Sequence, residues 1–293
     1  TALLTLAGRG ELDAADVDAL FRPRVDHIGD VRWSAADVAL LDDAREALGP
    51  RPGKHGKQDE ADEIRTYGHI VVDEVQDLTP MQLKMAARRS LNGSLTVVGD
   101  LAQATGPLAP ERWEDVLAHL PDRKPARIVG LSVGYRIPAQ IMRLADRVMA
   151  VMAPQLRSPR AVRMGDAAPS IVAVDDGRDL ATAVAEETAK MVTELPGSVA
   201  VLTPDELVEE ISDALAAAGI DHGRATRSGL DDPVTVVPVS VIKGLELDGV
   251  VVVEPSRIVA DEQLGLRALY VALTRPTQRL TVVHSDPLPA PMR

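Results

Sequence analysis

Short apolar runs alternate with longer amphipathic stretches along almost the whole chain. Residues 1–50 read as mostly helical, with Ser34 as an N-cap before Ala35-Ala36-Asp37-Val38-Ala39-Leu40-Leu41 and Leu48-Gly49-Pro50 as a stop. Residues 51–57, Arg-Pro-Gly-Lys-His-Gly-Lys, read as a basic flexible loop. The pattern then changes. His69-Ile70-Val71-Val72 is a strand-like run that ends in acids, and Thr79-Pro80 opens a helix with Pro at its first position. Ser94–Val98 and Arg127–Val129 read as further strands, and a helix follows over about 138–151. A connection containing Pro, Arg and Gly spans about 152–168. Beyond it the pattern predicts strand 170–174, helix 178–194, strand 198–202, helix 204–217, strand 234–237, strand 250–253, helix 262–273 and strand 280–283.

The strands are continuous Val/Ile/Leu runs rather than alternating ones. Strands of that kind, separated by helices, predict parallel sheets covered on both faces. In such folds ligands sit at the carboxyl ends of the strands. At roughly 150 residues per domain, the 293 residues suggest two α/β units. Their junction is expected near Pro121-Asp122-Arg123-Lys124-Pro125. There is no internal repeat and no low-complexity tract.

Composition narrows the chemistry. The chain has no cysteine, which removes disulfides, thiolate catalysis and cysteine-based zinc sites. No apolar run approaches the roughly 18 residues of a membrane span, so a soluble, cytoplasmic protein without membrane contacts is expected. The net charge is −12 and the rings are scarce: one Phe, three Tyr and two Trp. Both argue against a general polyanion binder and against a surface that stacks single-stranded bases. Charge is uneven, however. Residues 122–163 carry nine Lys/Arg and two Asp/Glu, and residues 175–232 carry four Lys/Arg and fourteen Asp/Glu.

Five segments carry candidate chemistry. In Val71-Val72-Asp73-Glu74-Val75-Gln76-Asp77 a strand delivers adjacent carboxylates at its end. One suits Mg²⁺, and the next can polarise an attacking water. Val97-Val98-Gly99-Asp100-Leu101-Ala102-Gln103 is a second strand end, with an amide placed to meet a γ-phosphate oxygen and the lytic water. Leu131-Ser132-Val133-Gly134-Tyr135-Arg136, Lys243-Gly244-Leu245-Glu246-Leu247-Asp248 and Leu269-Tyr270-Val271-Ala272-Leu273-Thr274-Arg275 complete the series. Taken singly, each reads equally as a cap, a turn or a surface arginine.

In this order they resemble the motifs of superfamily 1 helicase-like ATPases of the UvrD/Rep type, over roughly residues 68–284. Asp73–Asp77 resembles the Walker B motif II, Gly99–Gln103 motif III, Tyr135-Arg136 motif IV, Lys243–Asp248 motif V and Tyr270–Arg275 motif VI. The resemblance implies two RecA-like parallel-sheet domains after a helical N-terminal segment. That segment and its loop would occupy 1–66, the C-terminal part of the first RecA-like domain 67–121, and the whole second domain 122–293. It also implies an ATPase using ATP and Mg²⁺. Asp73 would hold the metal, Glu74 would activate water and Gln103 would sense the γ-phosphate. Arg136 and Arg275 would act as arginine fingers, and Glu246 would approach the ribose. Asp100, Tyr135, Lys243 and Gly244 would complete the nucleotide contacts. Charge developing on a transferring phosphoryl group does need cationic donors and a metal.

Two departures shape the reading. No Gly-x-x-x-x-Gly-Lys-[Ser/Thr] occurs, and Gly53-Lys54-His55-Gly56-Lys57-Gln58 is a poor imitation with no apolar helix after it. The chain is therefore expected to be the C-terminal portion of a longer protein whose N-terminal half carries the Walker A loop, and to be inactive alone. DNA-translocating members also carry aromatics after motif III and a His before the motif V Lys-Gly. Here those stretches read Ala104-Thr105-Gly106-Pro107 and Val241-Ile242. That combination, with Tyr67–Gln82 and Val98–Gln103, resembles the HelD group, motors that bind bacterial RNA polymerase and help strip it from nucleic acid. The resemblance implies core RNA polymerase as the partner and nucleic acid as a secondary one. The alternatives are a UvrD/Rep-type DNA helicase or helicase–nuclease subunit, and a non-catalytic RecA-like interaction module.

Overall fold

The computed structural model describes residues 5–6, 8–49, 64–106, 108–121, 124–175, 177–225, 232–261 and 265–293. The chain forms two compact units, Thr1–Ile64 and Arg65–Arg293. The first contains helices α1 (Ala14–Leu20) and α2 (Ala35–Leu48). Ser34 starts α2 as expected. Its N–H and hydroxyl donate to the Asp37 carboxylate at 2.6 and 2.7 Å. Those bonds, joined by Arg22, hold the Asp37 carboxyl down at about 2. Gly49 closes the helix at φ 71°, a conformation that suits a residue without Cβ. The loop expected at 51–57 lies outside the described residues.

In the second unit, β1 (Ile70–Val72), α3 (Pro80–Arg88), β2 (Leu95–Val97) and α4 (Trp113–Leu117) come first. Next are β3 (Val133–Gly134), α5 (Ala139–Met152), β4 (Arg160–Ala161), β5 (Ser170–Ala173), α6 (Leu180–Glu194) and β6 (Val199–Thr203). Then follow α7 (Val208–Ala217), β7 (Gly223–Arg224), β8 (Val234–Pro238), β9 (Leu247–Val253), α8 (Pro255–Asp261), α9 (Gly265–Leu273) and β10 (Pro276–His284). Strands β1 and β2 pair in parallel, as do β3 and β4. The main sheet has the order β5-β10-β9-β6-β8-β7, and every pairing in it is parallel. The parallel α/β class read from the sequence is the one observed.

The continuous apolar strands are buried on both faces, and their alternation sorts them between two cores. Ala200, Leu202, Val250, Val252 and Val282 pack with α5 and α9 on one side. Val199, Val201, Val251, Val253 and Val283 pack with α6 and α7 on the other. A smaller cluster of Val75, Leu83, Leu101 and Val116 sits under β1 and β2. Thr79 caps α3 by accepting from the Gln82 N–H, and the Gln82 side chain accepts from the Thr79 N–H in return.

Three expectations change. Residues 127–129 have no regular secondary structure and pair with no strand among the described residues, leaving Ile128 and Val129 exposed. Apolar character alone does not make a strand without a neighbouring edge to receive its backbone. The pairing occurs further on, where Val133 meets Arg160. The region expected as a plain connection over 152–168 thus contains β4. A helix not anticipated from the sequence, α8, also follows β9, and the helix expected over 262–273 is described only from Gly265. The left-handed Glu254 (φ 46°) turns the chain between β9 and α8. Its buried carboxylate accepts from the Ser285 N–H at 2.6 Å.

Asp248 ties the amino ends of three strands. It accepts from the Ser198 N–H at 2.9 Å, from the Ser198 hydroxyl, from Gln278 Nε2 at 2.7 Å and from Thr277 Oγ1 at 3.3 Å. Gly197 is needed beside it, since a Cβ there would lie 2.2 Å from Asp248 Oδ2. The Ser198 N–H, followed by the side chains of Gln278, Ser198 and Thr277, holds the carboxyl below its ordinary value. A lowered carboxyl stabilises the fold above its unfolded pKa, near 3.9. That contribution is lost as pH falls through the lower folded value. Asp248→Asn should cost about 1.5–3 kcal/mol, the range for hydrogen bonds to a charged group. Urea denaturation from pH 7 down to pH 3 should show the loss in the parent protein and a flatter pH dependence in the variant.

Candidate nucleotide site

Strands β1 and β2 deliver their last residues side by side. Asp73 and Glu74 follow β1, and Gly99 and Asp100 follow β2. Glu74 sits in the left-handed region at φ 51°. Its N–H donates to Asp73 Oδ1 at 2.8 Å, and its carboxylate accepts from Gln76 Nε2 at 2.6 Å. Gln76 is buried, and its carbonyl oxygen accepts the Asp100 N–H at 3.1 Å. One amide therefore joins the two strand ends. Gly99 makes room for it, because a Cβ would fall 2.3 Å from Gln76 Oε1 and 2.9 Å from Val75 Cγ1.

The bonding continues through the next turn. Asp100 accepts from the Ala102 N–H at 3.0 Å and from Gln103 Nε2 at 2.9 Å. Gln103 Oε1 in turn accepts from Arg275 Nη2 at 2.6 Å. Arg275, only 4% exposed, also donates to the carbonyls of Val271 and Leu245, at 3.2 and 3.3 Å. Burial pushes its guanidinium below its ordinary pKa. The nearby Arg136 charge pushes the same way, against Glu74, Asp100 and Glu246. Arginine stays charged regardless. The result is a continuous polar path from Glu74 through Gln76, Asp100 and Gln103 to Arg275.

Two ion pairs flank this path. Arg136 Nη1 meets Glu246 Oε1 at 2.7 Å, with both side chains partly exposed, and Lys243 pairs with Asp77. Arg267, which the sequence reading passed over, donates from Nη1 to the carbonyls of Leu101 at 2.5 Å and Ala104 at 3.3 Å. Asp73, Glu74, Asp100, Gln103, Arg136, Gly244, Glu246 and Arg275 line one cavity of about 280 Å³. Lys243 lines a neighbouring one with Glu74, Gln103 and Gly244. Tyr135 is 73% exposed and lines neither.

The cavity lies below the roughly 300–1,000 Å³ of drug-sized ligand pockets. It suits a phosphate tail better than a whole nucleotide. Among the described residues no group of three His, Cys, Asp or Glu side chains could cage a metal. An exposed Asp73 with one oxygen on a backbone N–H suits a magnesium ion that keeps its waters and phosphate ligands. Candidate residues follow the carboxyl ends of β1 and β2. Glu246 and Arg275 precede β9 and β10, so the main sheet offers its amino ends.

No protein-family model matches the sequence. The chain is 32% identical over 169 residues to the ATP-dependent DNA helicase UvrD2 of Mycobacterium tuberculosis and of Mycobacterium bovis, covering 53% of this chain and 23% of each relative. The chain is thus similar in sequence to a part of those helicases. It spans about a quarter of the length of those relatives. A solved C-terminal domain of a possible DNA helicase from Lactobacillus plantarum is 23% identical, with a TM-score of 0.44, covering 55% of this chain and 92% of that one. No helix among the described residues is long and apolar enough to cross a membrane.

Gln76 was missed as a site residue because a glutamine inside Asp-Glu-Val-Gln-Asp carries no sign that it will turn inward. Its only sequence signal is the glycine at 99, which leaves space for it. Gly99→Ala should therefore displace Gln76 and cost about 1–3 kcal/mol, as overpacking does. Thermal melting checks the stability. The Glu74 and Asp100 resonances in an NMR spectrum should move together.

Proposed function

We propose that this chain supplies the water-activating and phosphate-sensing part of an ATP-driven superfamily 1 motor. The polar path from Glu74 to Arg275 carries the reading. It links two residues 201 positions apart, with every link a hydrogen bond of 3.1 Å or less. Glu74 orients and deprotonates the attacking water, and Asp73 would hold Mg²⁺, which would supply positive charge against the phosphates. Gln103 bridges that water and the γ-phosphate. Arg275 and Arg136 stabilise the charge that builds on the transferring group. Glu246 releases Arg136 as it turns to the ribose.

We further propose that the motor works on bacterial core RNA polymerase and promotes its release from nucleic acid. The motif sequences favour this reading, and so does the burial of Ala104 where a stacking ring would stand. The acidic stretch 175–232 suits a basic protein surface better than a phosphate backbone. A second reading, a DNA helicase, draws on the name of the UvrD2 relatives. ATP turnover with saturating single-stranded DNA, and separately with core polymerase, separates the two. Polymerase should be the larger modulator and the tighter partner. Strong stimulation by DNA alone, with unwinding of a tailed duplex, would promote the helicase reading.

This chain by itself should not hydrolyse ATP at a useful rate, because nothing in it resembles the phosphate cradle. Magnesium-dependent turnover well above a Glu74→Gln control would overturn that. In the full-length protein, Arg275→Ala and Arg136→Ala should each remove most turnover while nucleotide binding stays nearly intact. Arginine fingers are worth about 10³–10⁵ in rate. A variant that keeps turnover within about threefold would remove its arginine from the mechanism.

A further inference from the structure

The structure assigns to Arg267 the role of a positioning residue that holds the 101–104 turn, and with it Gln103, against Arg275. The assignment rests on the proposed hydrolytic reading. Arg267 is the only charged residue of α9, a helix in which every other residue from Gly265 to Leu273 is apolar or aromatic. It is 8% exposed and has no ion-pair partner among the described residues. Burying a cation without a counter-charge costs stability unless its donors are satisfied. Arg267 meets that demand with the main-chain oxygens of Leu101 and Ala104. These two carbonyls bracket Gln103.

Arg267 and Arg275 stand about two helical turns apart along the same segment. They grip the same turn at two points. Arg275 holds the Gln103 side chain, and Arg267 holds the backbone on either side of it. The start of α9 is itself fixed, because a Cβ on Gly265 would lie 2.1 Å from the Val259 carbonyl oxygen. Ala104 is fully buried, so the turn cannot swing outward without opening the core. An apolar side chain at 267 could fill the space but would leave the Ala104 carbonyl without a donor and the Leu101 carbonyl with only the Ala104 N–H, at 3.3 Å. Gln103 would then be free to leave Arg275, and sensing would be uncoupled from the arginine that acts on charge.

The test has two arms. In this chain, amide hydrogen exchange at 100–105 should rise about tenfold or more in Arg267→Met and recover in part in Arg267→Lys, which keeps a cationic donor group without the guanidinium fork. Leu269→Ala, a cavity in the same helix, should not produce that local pattern. In the ATP-hydrolysing full-length protein, Arg267→Met should lower kcat about tenfold, with KM for ATP within about twofold. That effect should vanish in a Gln103→Ala background, because Arg267 acts through Gln103. Unchanged exchange at 100–105, or an undiminished kcat effect without Gln103, would overturn the assignment. A full-length parent with no turnover under any condition would refute the hydrolytic reading instead. The exchange arm would then decide the clamp alone.

Discussion

The buried guanidinium of Arg275 is the constraint around which the site is built. A charge that is nearly removed from water needs acceptors, and each of the three guanidinium nitrogens finds one in a separate segment. Helix α9 ends where the Val271 carbonyl can accept from Nε. The 243–246 loop brings the Leu245 carbonyl to Nη1. The turn after β2 brings the Gln103 amide to Nη2. Removing any one leaves a buried donor without a partner, at about 1–3 kcal/mol. The same geometry that stabilises the fold therefore brings together pieces far apart in the chain.

This explains why the two sheets meet the cavity from opposite ends. Strands β1 and β2 end in carboxylates and the Gln103 amide, carried on tight turns directly after the strands. The main sheet contributes cations from the loops that precede β9 and β10. Asp248 stiffens that second edge, tying Ser198, Thr277 and Gln278 at the strand starts just beyond Glu246 and Arg275. Asp73, Glu74 and Asp100 thus sit on one framework, and Arg275 with Glu246 on another. The contacts between the two combine hydrogen bonds, Gln103 to Arg275 and Arg267 to Leu101 and Ala104, with the Lys243–Asp77 ion pair and the burial of Ala102 in the core beside α9.

Much of the fold was legible because burial on both faces writes itself as unbroken apolar runs. Val250-Val251-Val252-Val253 could be read as a central parallel strand with no further information. Arg127-Ile128-Val129 shows the limit of that inference, since the same composition occurs where no edge is available to pair. The motif residues were legible through their order and spacing. Gln76 and Arg267 were not, because their roles depend on contacts 24 and 166 positions away. An arginine in an otherwise apolar helix reads as a surface residue on periodicity alone. Only the tertiary structure shows it pointing at a turn that the chain left behind long before.

The balance of charge in the cavity gives the arrangement its direction. Both oxygens of Asp100 are taken by the N–H groups of Ala102 and Gln103. Glu246 is taken by Arg136, and Glu74 by Gln76. Asp73 holds one oxygen on the Glu74 N–H, and the other has no partner among the described residues. Arg275 has only neutral acceptors, with Arg136 close enough to disfavour its charge further. The acids are largely satisfied within the protein, while the buried Arg275 feels the charges of Glu74, Asp100 and Glu246 without a direct ion pair among the described residues. An anion placed between Asp73 and Arg275 would relieve Arg275. A divalent cation at Asp73 would keep that anion from being repelled by the nearby carboxylates. A metal-bound phosphate, rather than a bare anion or a bare cation, would match this charge pattern, and that is what the proposed hydrolysis requires.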